Sequence, residues 1–442
     1  MIAVIADDFS GAAEIAGWAV AAGFTAELRR DFAVQARDSL NHDTAKTSHK
    51  PRFAAQAGGQ SCPDVVVFDT DSRSAPIDLA IDRSLAVAAW LRTQGIRQVF
   101  KKIDSVLRGH VAAESNALRH GLARHRSLVV PANPRRQRVV RDGRYRIAGQ
   151  PLHETLFARD PDFPAWTDQV VELLECRNCP PRTEDQHDSP RAVSAIASCA
   201  ANCSEWPAAE LIVGDASSLA ELDAWTARVD EDTLPVGAAE FFASWLATRF
   251  GSAKPASPAA SSTQQVARTL LVCGSPAAWF QGRGADARAR ELAVLRWGSA
   301  ATNEDSADAS LLRAARETLA SRGRLLVTCH EEDRGTVDAA SPDELLRALG
   351  GFAQRILAPL LAATHPRDDG PLVERLLVEG GATTAALVQQ FGWQRFEALA
   401  PVADGITPLV PLSGIAIGCG TAIPRFTLFS KPGSYAWPAD LW

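Results

Sequence analysis

Lys101-Lys102-Ile103-Asp104-Ser105-Val106-Leu107-Arg108-Gly109 is the stretch on which the reading of the fold turns. Arg97-Gln98-Val99-Phe100 before it has the character of a short strand, and a helix-compatible segment follows to about Arg124. Cations, a carboxylate, a hydroxyl and a glycine therefore gather where a strand gives way to a helix. In open α/β sheets ligands bind in the crevice beyond the carboxyl ends of the strands. The set suits a polyhydroxylated anion, although a solvated loop is the ordinary alternative for any single connection of this kind.

Two earlier strand ends repeat the pattern. Ile2-Ala3-Val4-Ile5-Ala6 is a buried-strand run that ends in Asp7-Asp8, then Phe9-Ser10-Gly11. The helix after it is expected from Ser10, as N-cap, to Gly23. Val65-Val66-Val67-Phe68 ends in Asp69-Thr70-Asp71-Ser72-Arg73, and Pro76 suits the first turn of the next helix. That helix offers Leu79, Leu85, Ala86, Ala89 and Trp90 as a core face. Parallel strands would bring all three loops to one rim, which is the expected site.

At 442 residues the chain is long for one core and predicts two domains. A hydrophobic fraction of 46% with 22% charged residues describes an ordinary globular protein. The formal charge of −6 argues against general nucleic-acid binding, which favours a basic face. No apolar run reaches the ~18–20 residues of a membrane span. With a strand at the start and no secretory cleavage pattern, a cytoplasmic location is expected. Of the eight cysteines, Cys176, Cys179, Cys199 and Cys203 have zinc-like spacing. The segment around the second pair, however, reads as an ordinary small-residue helix, so no metal site is expected.

Residues 37–63 read as an insertion rich in turn formers. The strand Ser127–Val130 runs into Pro131-Ala132-Asn133-Pro134 and then Arg135, Arg136 and Arg138, which suit either a substrate anion or a surface cluster. His153-Glu154 suits a general-base pair or a chance neighbourhood. A strand at Leu211–Ala216 and a helix from Ala238 to Phe250 close the first domain, residues 1–251. Residues 252–265, rich in Ser, Ala and Pro, read as a linker, and residues 266–442 restart the strand–helix rhythm. There Thr269–Cys273 ends at Gly274-Ser275, and Leu376-Leu377-Val378 leads into Glu379-Gly380-Gly381-Ala382-Thr383-Thr384. Glycines and hydroxyls entering a helix N-terminus form a phosphate seat. A last strand, Phe426 to Ser430, reaches Lys431-Pro432-Gly433. Walker A, protein-kinase and GxGxxG patterns are missing, so any nucleotide site is of another kind. The expected fold is α/β, with two domains, each a mostly parallel sheet flanked by helices, and an interdomain cleft.

Together these stretches resemble the four-carbon acid sugar kinases, which act on threonate-, erythronate- and 3-oxo-tetronate-type acids. The resemblance rests on Ile5 to Ala12, Asp69 to Arg73, Lys101 to Gly109, Pro151 to Thr155 with Phe157 to Pro161, Gly274-Ser275 and Gly380-Gly381, in order along nearly the whole chain. It implies an N-terminal sugar-acid-binding domain and a C-terminal nucleotide-binding domain, with ATP as phosphoryl donor and Mg²⁺ carried on it. Matching substrate positions are Asp8, Arg73, Lys102, Ile103, Asp104 and Ser105, to which the residues themselves add Arg108. Matching nucleotide positions are Ser275, Gly380, Gly381, Ala382 and Thr383, with Lys431 and Gly433 at the last turn. The family more usually has an acidic residue where Ala382 stands, and its Lys-Ser-Gly-Asn-Phe-Gly turn reads Lys431-Pro432-Gly433-Ser434-Tyr435-Ala436 here.

The expected chemistry is phosphoryl transfer by positioning and charge neutralisation. Arg73 offers a bidentate fork to the acid's carboxylate. Asp8, expected to be ionised beside a helix N-terminus and Lys102, is the first choice of base and Asp104 the second. Two other classes compete: a phosphatase using Asp69-Thr70-Asp71 as a nucleophile loop, and a sugar-acid sensor without turnover. Neither nucleic acid nor membrane is an expected partner, and a homodimer is the default assembly.

Overall fold

Continuous aliphatic runs with no polar face dictate strands covered on both sides, and the first unit is built from them. In the computed structural model, residues 1–31, 62–160, 162–176, 195–201, 203, 205–251, 267–274, 279, 287, 290–297, 305–330, 342–412, 415–417, 420–422, 426–431, 437, 438 and 441 are described. They fall into two units, Met1–Ala256 and Ser257–Trp442. Each is α/β. The expected linker at 252–265 and most of the expected insertion at 37–63 lie outside the described residues.

The first unit contains β1 (Ile2–Ala6), β2 (Ala26–Arg29), β3 (Val65–Asp69), β4 (Gln98–Lys102) and β5 (Arg126–Val130). A small antiparallel sheet follows, β6 (Arg138–Arg141), β7 (Arg144–Ile147) and β8 (Gln150–Pro151). Then come β9 (Ile196–Cys199), β10 (Leu211–Gly214) and β11 (Thr233–Gly237). The main sheet of this unit runs β2-β3-β1-β4-β11-β5-β10-β9, and every neighbouring pair is parallel. The chain leaves β1 for β2 and β3 on one side, then crosses to β4 on the other. Such a reversal opens a crevice at the strand ends, and the loops after β1, β3 and β4 line it.

Helices α1 (Phe9–Ala21), α2 (Ile77–Thr93), α3 (Val111–Gly121), α4 (Val170–Cys176), α5 (Leu219–Ala227) and α6 (Ala239–Phe250) belong to this unit. Alternation along β4 shows how they divide. Phe100 meets Phe241, Phe242 and Trp245 of α6 at centroid distances of 5.8, 5.2 and 5.5 Å. Its neighbour Val99 points the other way, into a cluster with Trp90, Leu91 and Leu118 from α2 and α3.

Three local expectations are corrected. The N-cap of α1 is Asp8, whose carboxylate accepts from Gly11 N at 2.9 Å, because Ser10 already lies inside the first turn. The core face of α2 runs through Ala80, Ile81, Ser84, Val87, Ala88 and Leu91, which leaves Leu79 exposed and Ala89 outside. Trp90 alone of the expected five is buried, because the helix packs on α3 through Ile81, which clusters with Ala113 and Ala117. Ile196–Cys199 is a strand, not a helix: it completes the parallel edge beside β10, and Cys199 forms a disulfide with Cys203. That bond removes two thiols from the zinc-like set, and Cys179 lies outside the described residues. Among the described residues no group of three or more His, Cys, Asp or Glu could hold a metal ion.

The second unit repeats the rhythm with β12 (Thr269–Cys273), β13 (Val294–Arg296), β14 (Arg324–Thr328), β15 (Arg375–Glu379), β16 (Arg395–Ala398), β17 (Pro408–Pro411), β18 (Ile415–Ile417), β19 (Gly420–Ala422) and β20 (Thr427–Lys431). Its main sheet runs β13-β14-β12-β15-β20-β17-β16, parallel from β13 to β20 and antiparallel beyond. Helices α7 (Asp305–Arg322), α8 (Pro342–Phe352) and α9 (Gly381–Gln390) accompany it. No helix among the described residues is long and apolar enough to cross a membrane.

Candidate active site

The first unit's crevice is dominated by one guanidinium. Arg73 Nε donates to Asp7 Oδ2 at 2.8 Å and Nη2 to Asp7 Oδ1 at 3.0 Å. Nη1 and Nη2 donate to the two oxygens of Asp8, each at 2.8 Å. Four of its five N–H hydrogens are thereby engaged by two consecutive carboxylates. The arrangement follows from the switch point, which sets the turn after β1 against the loop after β3: Ser72 N and Arg73 N both bond the Asp7 carbonyl. Arg73 was expected to grip a substrate carboxylate directly. In the structure its fork is directed at Asp7 and Asp8.

The two carboxylates are driven apart in acidity. Burial would raise Asp7, but Arg73, Lys101 and Lys102 outweigh it and hold the carboxyl below its usual range. Burial raises Asp8, Arg73 opposes it, the Asp7 charge adds to it, and the balance stays above the usual range. Asp8 was expected to be simply ionised, as helix dipole and lysine would dictate. Loss of water beside a second carboxylate wins over both. Of the pair, Asp8 is also the reachable one, with 23% of its side chain exposed against 4% for Asp7. Adjacent acids pushed in opposite directions separate a fixed charge from a proton acceptor.

Lys102 comes up beside them at the end of β4. Its Nζ donates to Ile103 O at 3.0 Å and lies 3.4 Å from Glu14 Oε2 on α1. Residue 11 must be glycine for this packing: a Cβ there would stand 2.6 Å from Asp8 Oδ1 and 3.3 Å from Lys102 Nζ. Lys101 turns to the opposite face and pairs with Glu114 of α3, both fully buried. Ser72 donates to the other Glu114 oxygen at 2.7 Å, and Thr70 bonds Ser72 and the Ala6 carbonyl. This chain of polar groups ties the β1, β3 and β4 ends together from beneath.

Asp104 holds the loop rather than facing a reaction. It accepts from Val106 N and Arg108 N at 3.2 Å, and from Arg108 Nε and Nη2 at 2.9 and 3.0 Å. Burial opposes its charge, but Arg108, Arg73 and Lys102 overcome that and hold the carboxyl far below the usual range. So weak a base is a poor proton acceptor, which argues against the second-choice role. Arg108 also reaches Asp160 at 3.4 Å. Ser105 accepts from Arg138 Nη1, so Arg138 of β6 belongs to this loop, whereas Arg135 lies over Trp18 at 6.0 Å. Ile103 is 1% exposed, and its nitrogen bonds Gly237 O at 3.0 Å. His153 and Glu154 lie in a short 3₁₀ turn, Leu152–Glu154, apart from these bonded groups.

At the second unit's rim, Gly380 at φ 112° opens α9 without a side-chain cap. That φ favours glycine, and the N–H groups of Gly381, Ala382 and Thr383 have no intrahelical carbonyl to bond. Lys431 pairs with Glu379 at 2.8 Å, each side chain 2% exposed. Ser275 and Gly433 lie outside the described residues. Thr383 packs so closely that a Cβ on Gly274 would lie 2.1 Å from its hydroxyl.

The family described as sugar-binding N-terminal domain matches residues 2–244. A D-threonate kinase of Cupriavidus necator is 30% identical over 456 aligned residues, covering 99% of this chain and 96% of that protein. The chain belongs to the four-carbon acid sugar kinase family. A 3-oxo-tetronate kinase of Brucella melitensis is also 30% identical to this family member, over 182 residues that cover 40% of this chain and 36% of the relative. A solved Haemophilus influenzae protein shares the fold at TM-score 0.65 and 19% identity, covering 98% of the kinase-family chain here and 97% of its own.

Proposed function

We propose that the protein transfers the γ-phosphoryl group of ATP to a hydroxyl of a four-carbon sugar acid. The observation that carries this reading is the Asp7–Asp8–Arg73 constellation at the switch point, with Lys102 beside it. The names of relatives, D-threonate kinase and 3-oxo-tetronate kinase, support the substrate class. In the proposed step the substrate hydroxyl oxygen forms a bond to the γ-phosphorus. The bond from that phosphorus to the β,γ-bridging oxygen breaks, ADP leaves, and the hydroxyl proton passes to Asp8 Oδ. A carboxyl raised by burial is suited to that proton, and Arg73 keeps it aimed.

The nucleotide half of the proposal rests on the second unit. Open N–H groups at the start of α9 fit a phosphate, as does the positive end of the helix dipole. Mg²⁺ would arrive on the phosphates and neutralise their charge, since it seldom needs an all-protein cage. Lys431, bound to Glu379, contributes as part of a neutral pair in this arrangement.

The phosphatase alternative is disfavoured by Asp69. Its side chain is inaccessible, Oδ2 accepts from Arg30 Nε at 2.8 Å and Oδ1 from Asp71 N at 2.9 Å. Burial pushes its pKa up to about 7, which weakens it further as a nucleophile. Incubation with ATP and a panel of four-carbon acids, read by ADP release and product mass spectrometry, tests the reading. ADP formed with one acid is the expected result. Binding without turnover would identify a sensor, and phosphate release from a sugar phosphate a phosphatase.

A further inference from the structure

A sugar acid carries a carboxylate, and a carboxylate taken out of water needs a cation with free donors. Most cations at the first unit's rim are committed. Arg73 serves Asp7 and Asp8, Arg108 serves Asp104 and Asp160, and Lys102 is shared between Glu14 and the Ile103 carbonyl. Arg138, the first residue of β6, differs. Among the described residues no carboxylate pairs with it. One Nη1 hydrogen is given to the Ser105 hydroxyl, which leaves four N–H hydrogens on the fork.

Its surroundings are built rather than incidental. The Arg138 guanidinium carbon lies 5.6 Å from the Phe157 ring centroid, and that of Arg108 lies 5.9 Å from the same ring. An aromatic ring under a guanidinium restrains its plane and leaves the fork edge open. On the adjoining strand β7, Tyr145 is fully buried, and its hydroxyl has no hydrogen-bond partner. That hydroxyl is within electrostatic reach of both Arg138 and Asp104. Unpaired charge and unpaired hydroxyl thus gather beside the loop that holds Lys102 to Ser105.

We propose that Arg138 is the residue that takes the carboxylate of the sugar acid, with Ser105 and Phe157 fixing its fork. Arg73 then acts by positioning Asp8. This assignment rests on the kinase reading and specifies which end of the substrate lies where: carboxylate toward β6, reacting hydroxyl toward Asp8.

The test uses the full-length protein and the variant Arg138→Gln, which keeps a donor for Ser105 and removes charge and fork. Steady-state rates are measured with the preferred four-carbon acid and with the polyol in which CH₂OH replaces the carboxylate. Loss of a charge-assisted partner should raise KM for the acid about 10- to 100-fold, leave KM for ATP within about twofold, and shrink the preference for acid over polyol by the same factor. Arg138→Lys should recover part of the loss, and carries the comparison should the glutamine variant not fold. Equal losses on acid and polyol, or an unchanged KM for the acid, overturn the proposal. Calorimetry without nucleotide separates the two levels. An acid bound equally by wild type and variant sinks the Arg138 assignment alone, whereas no acid bound by wild type sinks the kinase reading with it.

Discussion

The two rims are built by different means. Around β1, β3 and β4 the first unit uses side chains: two acids share one guanidinium, and a lysine and a second Asp–Arg pair stand alongside. In the second unit the features are a bare helix start at Gly380, a close approach at Gly274 and one buried ion pair. A polyhydroxylated acid is recognised by groups aimed one at a time, whereas phosphate oxygens can be met by backbone N–H groups that any sequence supplies. The first kind of site must be written in particular residues. The second needs little beyond small residues at fixed places, so it can drift in sequence and keep its shape.

The sharpest way to break this contrast is Asp8→Asn. Asparagine can still cap α1 through Gly11, but it cannot take a proton. A fall in kcat of roughly two to four orders of magnitude is expected with the fold intact, alongside a modest loss of stability because the amide nitrogen can no longer accept from Arg73 Nη1. Normal turnover would reduce Asp8 to a cap.

On the other rim, Lys431→Met should remove the cation paired with the buried Glu379 carboxylate and cost on the order of 3–5 kcal/mol by denaturant unfolding. The double variant Lys431→Met, Glu379→Leu should recover most of that. A loss below about 1 kcal/mol would show that the pair is not buried as described. Gly274→Ala comes next. Its Cβ would press on Thr383, and overpacking of this kind costs about 1–3 kcal/mol. A neutral substitution would mean that the strand end and α9 are further apart than they stand here.

The smallest effect concerns Asp69, whose pKa of about 7 lies above the ordinary 3.8. A buried acid with a raised folded-state pKa binds its proton more tightly folded than unfolded. Its contribution is therefore most favourable at low pH and is lost as pH rises through about 7. Lowering pH from 8 to 6 should stabilise the wild type by about 1 kcal/mol more than Asp69→Asn, read as the difference between their unfolding curves. Equal pH dependence in both proteins would place the Asp69 pKa elsewhere.

Why the first unit was the more legible follows from the same contrast. Continuous aliphatic runs ending in charged loops announce parallel strands and a rim; β1 and β3 fall where those runs predict, and β4 runs two residues further than its apolar run, taking Lys101 and Lys102 into the strand. What charge patterns cannot state is partner choice. Arg73 looks like a free fork until the turn after β1 is seen closing on it, and Asp104 looks like a base until Arg108 folds back across four residues. The raised Asp8 depends on desolvation by groups far apart in the chain, which no local pattern records. The strand at Ile196–Cys199 was hidden for another reason. Small residues carry little periodicity, so an edge strand there resembles a helix until its neighbour supplies the ladder.

Lys101 and Lys102 are chemically identical neighbours with opposite duties, one locked to Glu114 under the sheet and the other beside Asp8 above it. Only the pleat of β4 tells them apart, since successive residues face opposite sides. For an evolving gene this makes β4 a strand whose spacing is guarded as strictly as its letters. Loss or gain of one codon between Arg97 and Phe100 would leave both lysines in the protein and move every side chain after the change to the wrong face. Substituting one lysine would damage one role. A single-residue slip would exchange the two, so a history of length changes in this family should skirt β4 and collect in the loops beyond its ends.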